Sequence, residues 1–359
     1  MVDADTTAHT TTVPRTRLLH VGLGGWGVDW ERNAIPPVGE VERVGVIDAH
    51  EPTLRGAQRA LGLPEHACFT SLREAVAAVA ADGVLVTAPV ALHVPVALEA
   101  LEAGLHVLVE KPFAGTLAEA RTAVERAEQL GLVLQVSQNY RFYPAPRAVR
   151  DLVADGAIGD LSVVHVDFRR WANDAPVETN RHYSFPHPLL YDMAIHHFDL
   201  LRMVTGREAV RVYAKVTDPP WSRFTEEASA VLTIEMTGGL VASYRGSWVS
   251  RGPQTAWDGE WALEGERGRI TFTGRSGRGT ADDVVTLSRD GGEARAVDLP
   301  AMDLWGRSAG LRQFHRAVQG GPATDVTGRS NLGSLAVAEA AARSVESGRV
   351  EDVERVEAL

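Results

Sequence analysis

Through the first 139 residues, short apolar runs alternate with stretches in which apolar residues recur at helical spacing. Short apolar runs bounded by turn residues are typical of strands that are buried on both faces. Strands of this kind that alternate with helices predict a parallel sheet covered by helices on both sides. The predicted strands are 18–21, 44–47, 83–86, 106–109 and 132–136, and the predicted helices are 51–61, 95–103 and 117–130.

The pattern changes near Tyr140, where longer stretches of alternating apolar and polar residues follow. These two-faced strands, with the glycine pairs 238–239 and 291–292 between them, predict a mostly antiparallel open sheet. A polar and aromatic segment at 171–188 predicts a long loop. The predicted strands here are 161–169, 210–216, 228–236, 240–249, 259–264, 269–272 and 284–288, and the predicted helices are 147–154, 189–204 and 332–347.

The chain has 359 residues, which is too long for one ordinary hydrophobic core, so two domains of an α/β protein are expected. The change of pattern predicts a parallel-sheet domain at 15–139 and a second domain with the large open sheet at 140–359. Residues 1–14 are polar and threonine-rich and predict a disordered leader without the apolar core of a secretory signal. An open sheet needs cover for its edges and free face, which predicts a homodimer or homotetramer built through that sheet.

The composition narrows the class of protein further. A formal net charge of −11 argues against a broad surface for nucleic acid or anionic membrane. Cys68 is the only cysteine, which excludes an intrachain disulfide and a thiolate metal cluster and favours a reducing cytoplasm. No apolar run approaches the roughly 20 residues needed to cross a bilayer.

A glycine-rich loop follows the first predicted strand. Gly22, Gly24 and Gly27 match the spacing G-x-G-x-x-G, which permits a tight turn, a close approach of backbone to a pyrophosphate, and helix packing. The helix N-terminus behind such a loop offers free N–H groups to phosphate. Asp48 ends the second strand 21 residues after Gly27, where a carboxylate binds a ribose diol and repels a 2′-phosphate. The sequence therefore favours NAD over NADP.

Lysine is rare in this chain. Of the 36 lysine and arginine residues only Lys111 and Lys215 are lysine. Guanidinium stays charged at any working pH, whereas an amine can be tuned, so a rare lysine predicts a chemical group. Lys111 follows the apolar run 107–109 and stands in the tripeptide Glu110-Lys111-Pro112. It is therefore a candidate for catalysis, while Lys215 on a later strand is expected to be an ordinary surface residue.

A third candidate feature lies on the predicted helix 189–204. Asp192 and His196 are four residues apart and share one helical face, so they can hold one substrate oxygen or orient each other. Asp199 is one turn beyond His196 and can fix its tautomer. His197 points elsewhere and is expected to be structural. The irregular spacing of the histidines and the lack of thiolates predict no metal site.

Together these motifs resemble those of the glucose-fructose oxidoreductase, inositol dehydrogenase and MocA oxidoreductases. The resemblance rests on the glycine loop, on the segment 100–112 that ends in Glu110-Lys111-Pro112, and on the pattern Asp192-x-x-x-His196-x-x-Asp199. It covers nearly the whole chain. The family usually has glycine where this chain has Ala194, which is a mild departure. The resemblance implies an N-terminal Rossmann domain that binds a nicotinamide cofactor and a C-terminal domain that binds substrate.

The resemblance also implies site residues. Lys111 would hydrogen-bond the reacting oxygen and the nicotinamide ribose, His196 would be the general acid and base, and Asp192 would orient the substrate. The expected cofactor-binding residues are Gly22, Gly24, Gly25, Trp26, Gly27, Asp48, Thr87, Ala88, Pro89, His93, Glu110, Lys111, Gln138 and Asn139. The expected substrate-binding residues are Lys111, Arg169, Trp171, Arg181, Tyr183, Asp192 and His196, with Asn180 and His182 as further candidates from the same loop.

The chemistry of alcohol oxidation agrees with these roles. It needs a base for the hydroxyl proton and a cofactor carbon that accepts hydride. Because a free lysine has a pKa near 10.4, we expect Lys111 to stay cationic and stabilise the alkoxide while His196 moves the proton. The favoured function is a sugar, polyol or cyclitol dehydrogenase. Two alternatives are an NAD-dependent glycoside hydrolase or lyase on the same scaffold, and a catalytically silent sensor that binds NAD.

Overall fold

The computed structural model describes residues 14–356 except 179 and 278, and for Arg181 it describes the backbone only. The predicted leader therefore lies outside the described residues, apart from Pro14. Among the described helices, none combines the length and apolar character that crossing a bilayer requires.

A six-stranded parallel sheet fills the N-terminal part, with the order β3-β2-β1-β4-β5-β6. The strands are β1 (Thr16–Val21), β2 (Val41–Ile47), β3 (Cys68–Phe69), β4 (Gly83–Val86), β5 (His106–Val109) and β6 (Leu134–Val136). The helices are α1 (Gly25–Asp29), α2 (Glu51–Leu61), α3 (Leu72–Ala78), α4 (His93–Glu102) and α5 (Leu117–Leu130).

This strand order reverses between β1 and β4. In open parallel sheets of this kind, ligands bind outside the carboxyl ends of the strands at the point of reversal. The residues that follow β1, β2, β4 and β5 therefore meet at one edge. Those residues are Gly22, Asp48, Thr87 and Glu110, all of which were predicted to bind the cofactor.

The second sheet has nine strands in the order β14-β13-β12-β11-β7-β10-β9-β8-β15. All neighbouring strands are antiparallel except β7 and β10, which confirms the predicted mostly antiparallel sheet. The strands are β7 (Leu161–Arg169), β8 (Ala209–Thr217), β9 (Ser229–Met236), β10 (Val241–Ser247), β11 (Glu260–Gly265), β12 (Gly268–Thr273), β13 (Val284–Arg289), β14 (Arg295–Ala296) and β15 (Glu351–Asp352).

One face of this sheet is covered by helices. They are α6 (Pro144–Ala154), α7 (Ile195–Thr205) and α9 (Gly328–Ser347). Strand β7 shows the two-faced pattern well, because Val164, Val166 and Phe168 are buried against the helices while the residues between them are more exposed. Helix α9 contacts β8, α7 and also α5, so it joins the helical layers of the two sheets.

The structure contains helix α3 and the short strands β3, β14 and β15, which were not predicted, and it differs from the prediction in two longer helices. The predicted helix 189–204 begins as a π-helix over Pro188–Ala194 and becomes α-helical only from Ile195. A helix that was not predicted, α8 (Gly306–Val318), packs on the first sheet, where Phe314 joins the cluster that contains Leu18 and Leu85. The helix escaped prediction because Leu311 and Phe314 are the only large apolar residues among those it buries.

Candidate active site

A cavity of about 620 Å³ opens between the carboxyl edge of the first sheet and the loops of the second. Its charged or titratable lining residues come from both halves of the chain and are Glu110, Lys111, His182, Asp192, His196 and Arg275. Its aromatic lining residues are Trp26, Tyr140, Phe224, Trp248 and Trp257. The cavity therefore brings together the three residues that were predicted to be catalytic.

The glycine loop lies against the segment after β4. Gly22 has φ 94°, and a side chain on it would place Cβ 2.5 Å from the backbone nitrogen of Ala88. A Cβ on Gly27 would lie 2.0 Å from the carbonyl oxygen of Gly22. A Cβ on Gly24 or Gly25 would meet nothing within 4 Å, so the space over the loop is open. Close packing below and open space above fit a loop that holds a diphosphate.

Thr87 fixes this loop from the neighbouring strand. Its hydroxyl donates to the carbonyl oxygen of Gly22 at 2.5 Å, and Nε2 of His20 lies 2.9 Å from the same hydroxyl. The other nitrogen of His20 lies 2.7 Å from a carboxylate oxygen of Glu31. Thr87 thus supports the turn between β1 and α1. A 3-10 turn begins after Pro89, at the same carboxyl edge of the first sheet.

Asp48 is bound to the glycine loop by its side chain. One carboxylate oxygen accepts a hydrogen bond from the backbone N–H of Leu23 at 2.8 Å, and the other accepts one from His50 at 2.9 Å. Each oxygen of a carboxylate has two lone pairs, so each retains one acceptor site for a ribose hydroxyl. The carboxylate is thereby held beside the loop, where its charge disfavours a 2′-phosphate.

Glu110 and His93 hold Lys111 in place. The buried carboxylate of Glu110 accepts hydrogen bonds from Trp30 Nε1 at 2.8 Å and from the backbone N–H of Lys111 at 3.0 Å. The imidazole of His93 lies 2.8 Å from the carbonyl oxygens of both Pro112 and Ala88. These contacts support the segment around Lys111, and the prediction that Glu110 and His93 also bind the cofactor stays a prediction.

The ammonium group of Lys111 is hydrogen-bonded to Asp192. Nζ donates to the carboxylate oxygen Oδ1 at 2.8 Å and to the carbonyl oxygen of Asp192 at 2.9 Å. The second carboxylate oxygen lies 3.0 Å from Nδ1 of His182, whose side chain is exposed. Burial favours the neutral acid, but Lys111 and His182 hold the pKa of Asp192 far below its usual range. The hydrogen bond to Asp192 raises the pKa of His182.

His196 is buried and is oriented by Gln138. Its Nδ1 lies 3.0 Å from the amide oxygen of Gln138, which can only accept, so Nδ1 carries the proton. Nε2 is then the basic atom, and it makes no hydrogen bond within the described part of the chain. Burial lowers the pKa of His196 well below its usual value, and the charges of Lys111 and Arg275 add to this effect. His196 is therefore a neutral base at neutral pH.

The structure corrects the role that the sequence gave to Asp199. Its carboxylate is paired with the buried guanidinium of Arg141 at 2.5 and 2.8 Å and accepts from the Ser334 hydroxyl at 2.9 Å. It is therefore a structural ion pair, because helix α7 turns it away from His196 and toward α9. Gln138 contacts His196, and the prediction that it lies under the nicotinamide stays a prediction.

Several predicted substrate residues lie outside the cavity. Arg169 is on the open face of the second sheet, where it pairs with Asp167 and with Glu260 at 3.0 Å. The alternation of β7 causes this, since it turns Phe168 inward and Arg169 outward. Trp171 donates to Asp174 at 2.9 Å, and Tyr183 is buried behind Phe224 at 4.9 Å between ring centroids. The side chain of Arg181 lies outside the described residues.

Some cavity residues carry no local sequence signal. Trp248, Trp257 and Arg275 follow strands of the second sheet and reach the cavity only through the fold. By contrast, Asn180, His182 and Asn139 line the cavity and were all candidates from the sequence. His197 contacts the hydroxyl of Tyr244 and a backbone carbonyl, which agrees with its predicted structural role.

Two family models match the chain, one over the N-terminal part and one over the C-terminal part. A model described as an oxidoreductase family with an NAD-binding Rossmann fold matches residues 17–138. A model described as the GFO/IDH/MocA C-terminal domain matches residues 147–271. With the strand order and the glycine loop, these matches define an NAD-binding oxidoreductase. The chain belongs to the GFO/IDH/MocA oxidoreductase family, as its motifs predicted.

Individual relatives agree with this assignment. The dTDP-3,4-didehydro-2,6-dideoxy-alpha-D-glucose 3-reductase of Streptomyces violaceoruber is 30% identical over 92% of this chain and 93% of its own length. The D-apiose dehydrogenase of Paraburkholderia graminis is 27% identical over 98% of this chain and 93% of its own length. An Agrobacterium radiobacter oxidoreductase solved with NAD+, L-tartaric acid and magnesium shares the fold, with TM-score 0.81, 19% identity and coverage of 94% and 98%.

Proposed function

We propose that the protein is an NAD-dependent dehydrogenase that interconverts a secondary alcohol of a sugar, polyol or cyclitol and the corresponding ketone. The observation that carries the proposal is the convergence of Lys111, Asp192 and His196 in one cavity at the carboxyl edge of the Rossmann sheet. Two similar proteins, the D-apiose dehydrogenase and the dTDP-sugar 3-reductase, are named for reactions on sugars. Their chemistry supports a carbohydrate-like substrate.

His196 moves the proton in this proposal. Its Nδ1 proton is held by Gln138, which leaves Nε2 free to take the hydroxyl proton of the substrate. The lowered pKa of His196 keeps the imidazole in the unprotonated form, which is the form that can accept a proton. The ring cannot swing away, because it is stacked on Tyr140 with 4.0 Å between the ring centroids.

Lys111 stabilises the negative charge that develops on the substrate oxygen. An ammonium group has three N–H donors, and the two hydrogen bonds to Asp192 leave one for that oxygen. The carboxylate of Asp192 fixes the position of the ammonium group through these contacts. Preorganised positive charge of this kind favours the alkoxide-like transition state over the neutral alcohol.

The fold provides a place for the cofactor beside these groups. The backbone of Gly22–Gly27 would hold the diphosphate of NAD, Asp48 the adenosine ribose, and the segment from Thr87 to Pro89 with Asn139 the nicotinamide side. When bound, NAD supplies the carbon that accepts or returns hydride. The substrate would enter from the second sheet, where Trp248 and Trp257 offer apolar faces to a sugar ring.

The domain division and the assembly belong to the same proposal. We assign cofactor binding to 15–139 and substrate binding and oligomerisation to 140–359, although α8 packs on the first sheet. The open face of the second sheet exposes Val231 by 60% and Val284 by 47%, which supports burial against another copy in a homodimer or homotetramer. A cytoplasmic protein that binds neither nucleic acid nor membrane is expected from the sequence.

The test is to incubate the purified protein with NAD and a panel of sugars, uronic acids, polyols and cyclitols. Absorbance of the reduced cofactor and chromatography of the products are recorded together. A dehydrogenase produces one equivalent of NADH per ketone formed. Release of a glycosidic leaving group without net NADH would support the hydrolase or lyase alternative. Binding of NAD and sugar without any product would support the sensor.

A further inference from the structure

Three planar side chains are stacked at the wall of the cavity. The rings of Tyr140 and His196 lie 4.0 Å apart with 4° between their planes. The guanidinium carbon of Arg275 lies 3.6 Å from the centre of the Tyr140 ring. Two groups at van der Waals distance from the same ring centre must occupy its opposite faces. The order is therefore guanidinium, phenol, imidazole.

The backbone holds Arg275 in this position. Its φ is 61°, a conformation that side-chain-bearing residues rarely adopt and that persists only where the surroundings fix it. The N–H of Arg275 donates to Asp283 at 3.0 Å, and its carbonyl accepts from the N–H of Trp257 at 3.2 Å. Trp257 itself lines the cavity, so the loop before β11, which builds the wall, also holds the backbone of Arg275 in the loop after β12.

The charge of Arg275 is only loosely compensated. The carboxylate of the fully buried Asp258 lies 3.9 Å from Nη1, beyond hydrogen-bond distance. Both oxygens of Asp258, and Nε and Nη1 of Arg275, have no hydrogen-bond partner among the described residues. The hydroxyl-bearing ring of Tyr143 lies 4.9 Å from the guanidinium carbon. Burial raises the pKa of Asp258 to about 7, which weakens its compensation at neutral pH.

We propose that Arg275 is a positioning residue for His196, which it reaches through Tyr140. Its guanidinium presses the phenol ring flat against the imidazole by a cation–π contact, and its charge disfavours the imidazolium. The inference rests on the proposed role of His196 as the base and adds a residue that no motif of the sequence contains. Arg275 thus keeps the base neutral and correctly oriented without being required to contact the substrate.

Other charges also act on His196. Burial is the largest cause of its lowered pKa, and Lys111, Arg275 and His197 lower it further while Asp192 raises it. Lys111 is already paired with the carboxylate of Asp192 at 2.8 Å. The carboxylate of Asp258 lies farther from Arg275, 3.9 Å from Nη1. Removing the charge of Arg275 should therefore have a measurable effect on the pKa of the His196 imidazole.

The test is an NMR titration of the His196 imidazole in the full-length protein labelled with ¹³C-histidine. The signal is assigned by its loss in His196→Asn, and the pH profile of kcat/KM is measured on the same samples. Arg275→Met removes the charge, Arg275→Lys keeps the charge without the planar group, and Asp258→Asn removes the distant carboxylate. Arg251→Met is the matched control, because Arg251 makes an exposed cation–π contact with Trp171 at 4.5 Å.

In Arg275→Met we expect the midpoint of the titration to rise by on the order of one pH unit, with the acid limb of kcat/KM moving equally. Asp258→Asn should leave both unchanged, because a carboxyl group with a pKa of about 7 is already neutral in the pH range where His196 titrates. Arg275→Lys should keep the midpoint of the titration and lower kcat. Arg251→Met should change neither the midpoint nor kcat.

An unchanged midpoint in Arg275→Met overturns the proposal, as does an equal shift in the control. A rise in KM with an unchanged pH profile also overturns it, since that result assigns Arg275 to substrate binding. The titration needs no turnover, whereas the proposed function fails if the wild-type protein reduces no NAD. The two failures are therefore distinguishable. If Arg275→Met does not fold, Arg275→Gln is titrated in its place, and an unchanged midpoint in that variant overturns the proposal.

Discussion

The amide oxygen of Gln138 lies 3.0 Å from Nδ1 of His196 and thereby determines which nitrogen of the imidazole is basic. Gln138 follows β6, the last strand of the Rossmann sheet, whereas His196 opens helix α7 of the second half. The hydrogen bond therefore joins the part of the chain that matches an NAD-binding Rossmann fold to the part that carries the proposed base. The relative placement of the two halves controls the tautomer of the catalytic group.

Replacing Gln138 by leucine should lower kcat for alcohol oxidation by at least about tenfold, because the proton is no longer held on Nδ1. Gln138→Glu should instead raise the pKa of His196, since a carboxylate favours the imidazolium. The acid limb of kcat/KM, which should lie well below pH 6.5 in the wild type, then moves to higher pH. Steady-state kinetics from pH 5 to 9 measures both effects. An unchanged profile in both variants would refute the role of Gln138.

Lys111→Arg should keep a positive charge at the site and still lose most turnover, by roughly 100-fold or more. The reason is that a guanidinium cannot place a compact donor between Asp192 and the substrate oxygen. The matched control is Lys215→Arg, which changes the other lysine of the chain on the exposed side of β8. Initial rates of NADH formation measure the effect. A Lys111→Arg enzyme with nearly normal kcat would contradict the assignment.

Asp48→Asn should reduce the preference for NAD over NADP, measured as the ratio of the two kcat/KM values, by about tenfold, or ~1.4 kcal/mol. The amide still accepts from one backbone N–H but no longer repels a 2′-phosphate. Glu42→Gln, at the other end of β2, removes an exposed carboxylate and should leave the ratio unchanged. If both variants behave alike, Asp48 does not select the cofactor.

Asp199→Asn should destabilise the fold by about 3 kcal/mol, because it leaves the buried charge of Arg141 without its partner. The free energy of unfolding is obtained from urea denaturation with NAD absent. Arg211→Gln breaks an exposed pair with Glu235 and should change that free energy by less than about 1 kcal/mol. If both variants changed the free energy of unfolding equally, the buried ion pair would contribute no more to stability than the exposed one.

Local patterns predicted most of the fold. Apolar runs gave strands such as 83–86 and 106–109 with the bounds that the structure has, because a buried parallel strand is a continuous apolar segment. The sequence also predicted helix α5 with its observed bounds. The helix ends before Gly131, and that glycine has a left-handed backbone conformation. Helix α8 was missed because it buries small residues, including Gly306, Ser308 and Gly310, which leave no apolar periodicity.

The candidate site could be predicted only as far as its motifs extend. The glycine loop, Lys111 and the Asp192/His196 pair are local patterns, and the cavity is lined by Lys111, by the Asp192/His196 pair and, from the glycine loop, by Trp26. The partners of those residues are not local. Gln138 orients His196 across 58 positions, and Arg275 reaches Tyr140 from the far end of the second sheet. Arg169 was predicted to bind substrate, but its side chain lies outside the cavity. Neighbouring residues of a strand face opposite sides of the sheet, so an error of one residue changes the side on which a residue lies.

The central claim is hydride transfer between a secondary alcohol and the nicotinamide. The most direct measurement uses a substrate from the panel that carries deuterium on the carbinol carbon, with NMR of the reduced cofactor after one turnover. The account predicts that the deuterium is found on C4 of NADH and that the organic product is the ketone. Deuterium released to solvent, or retained in a cleaved sugar with NAD unchanged, would contradict it.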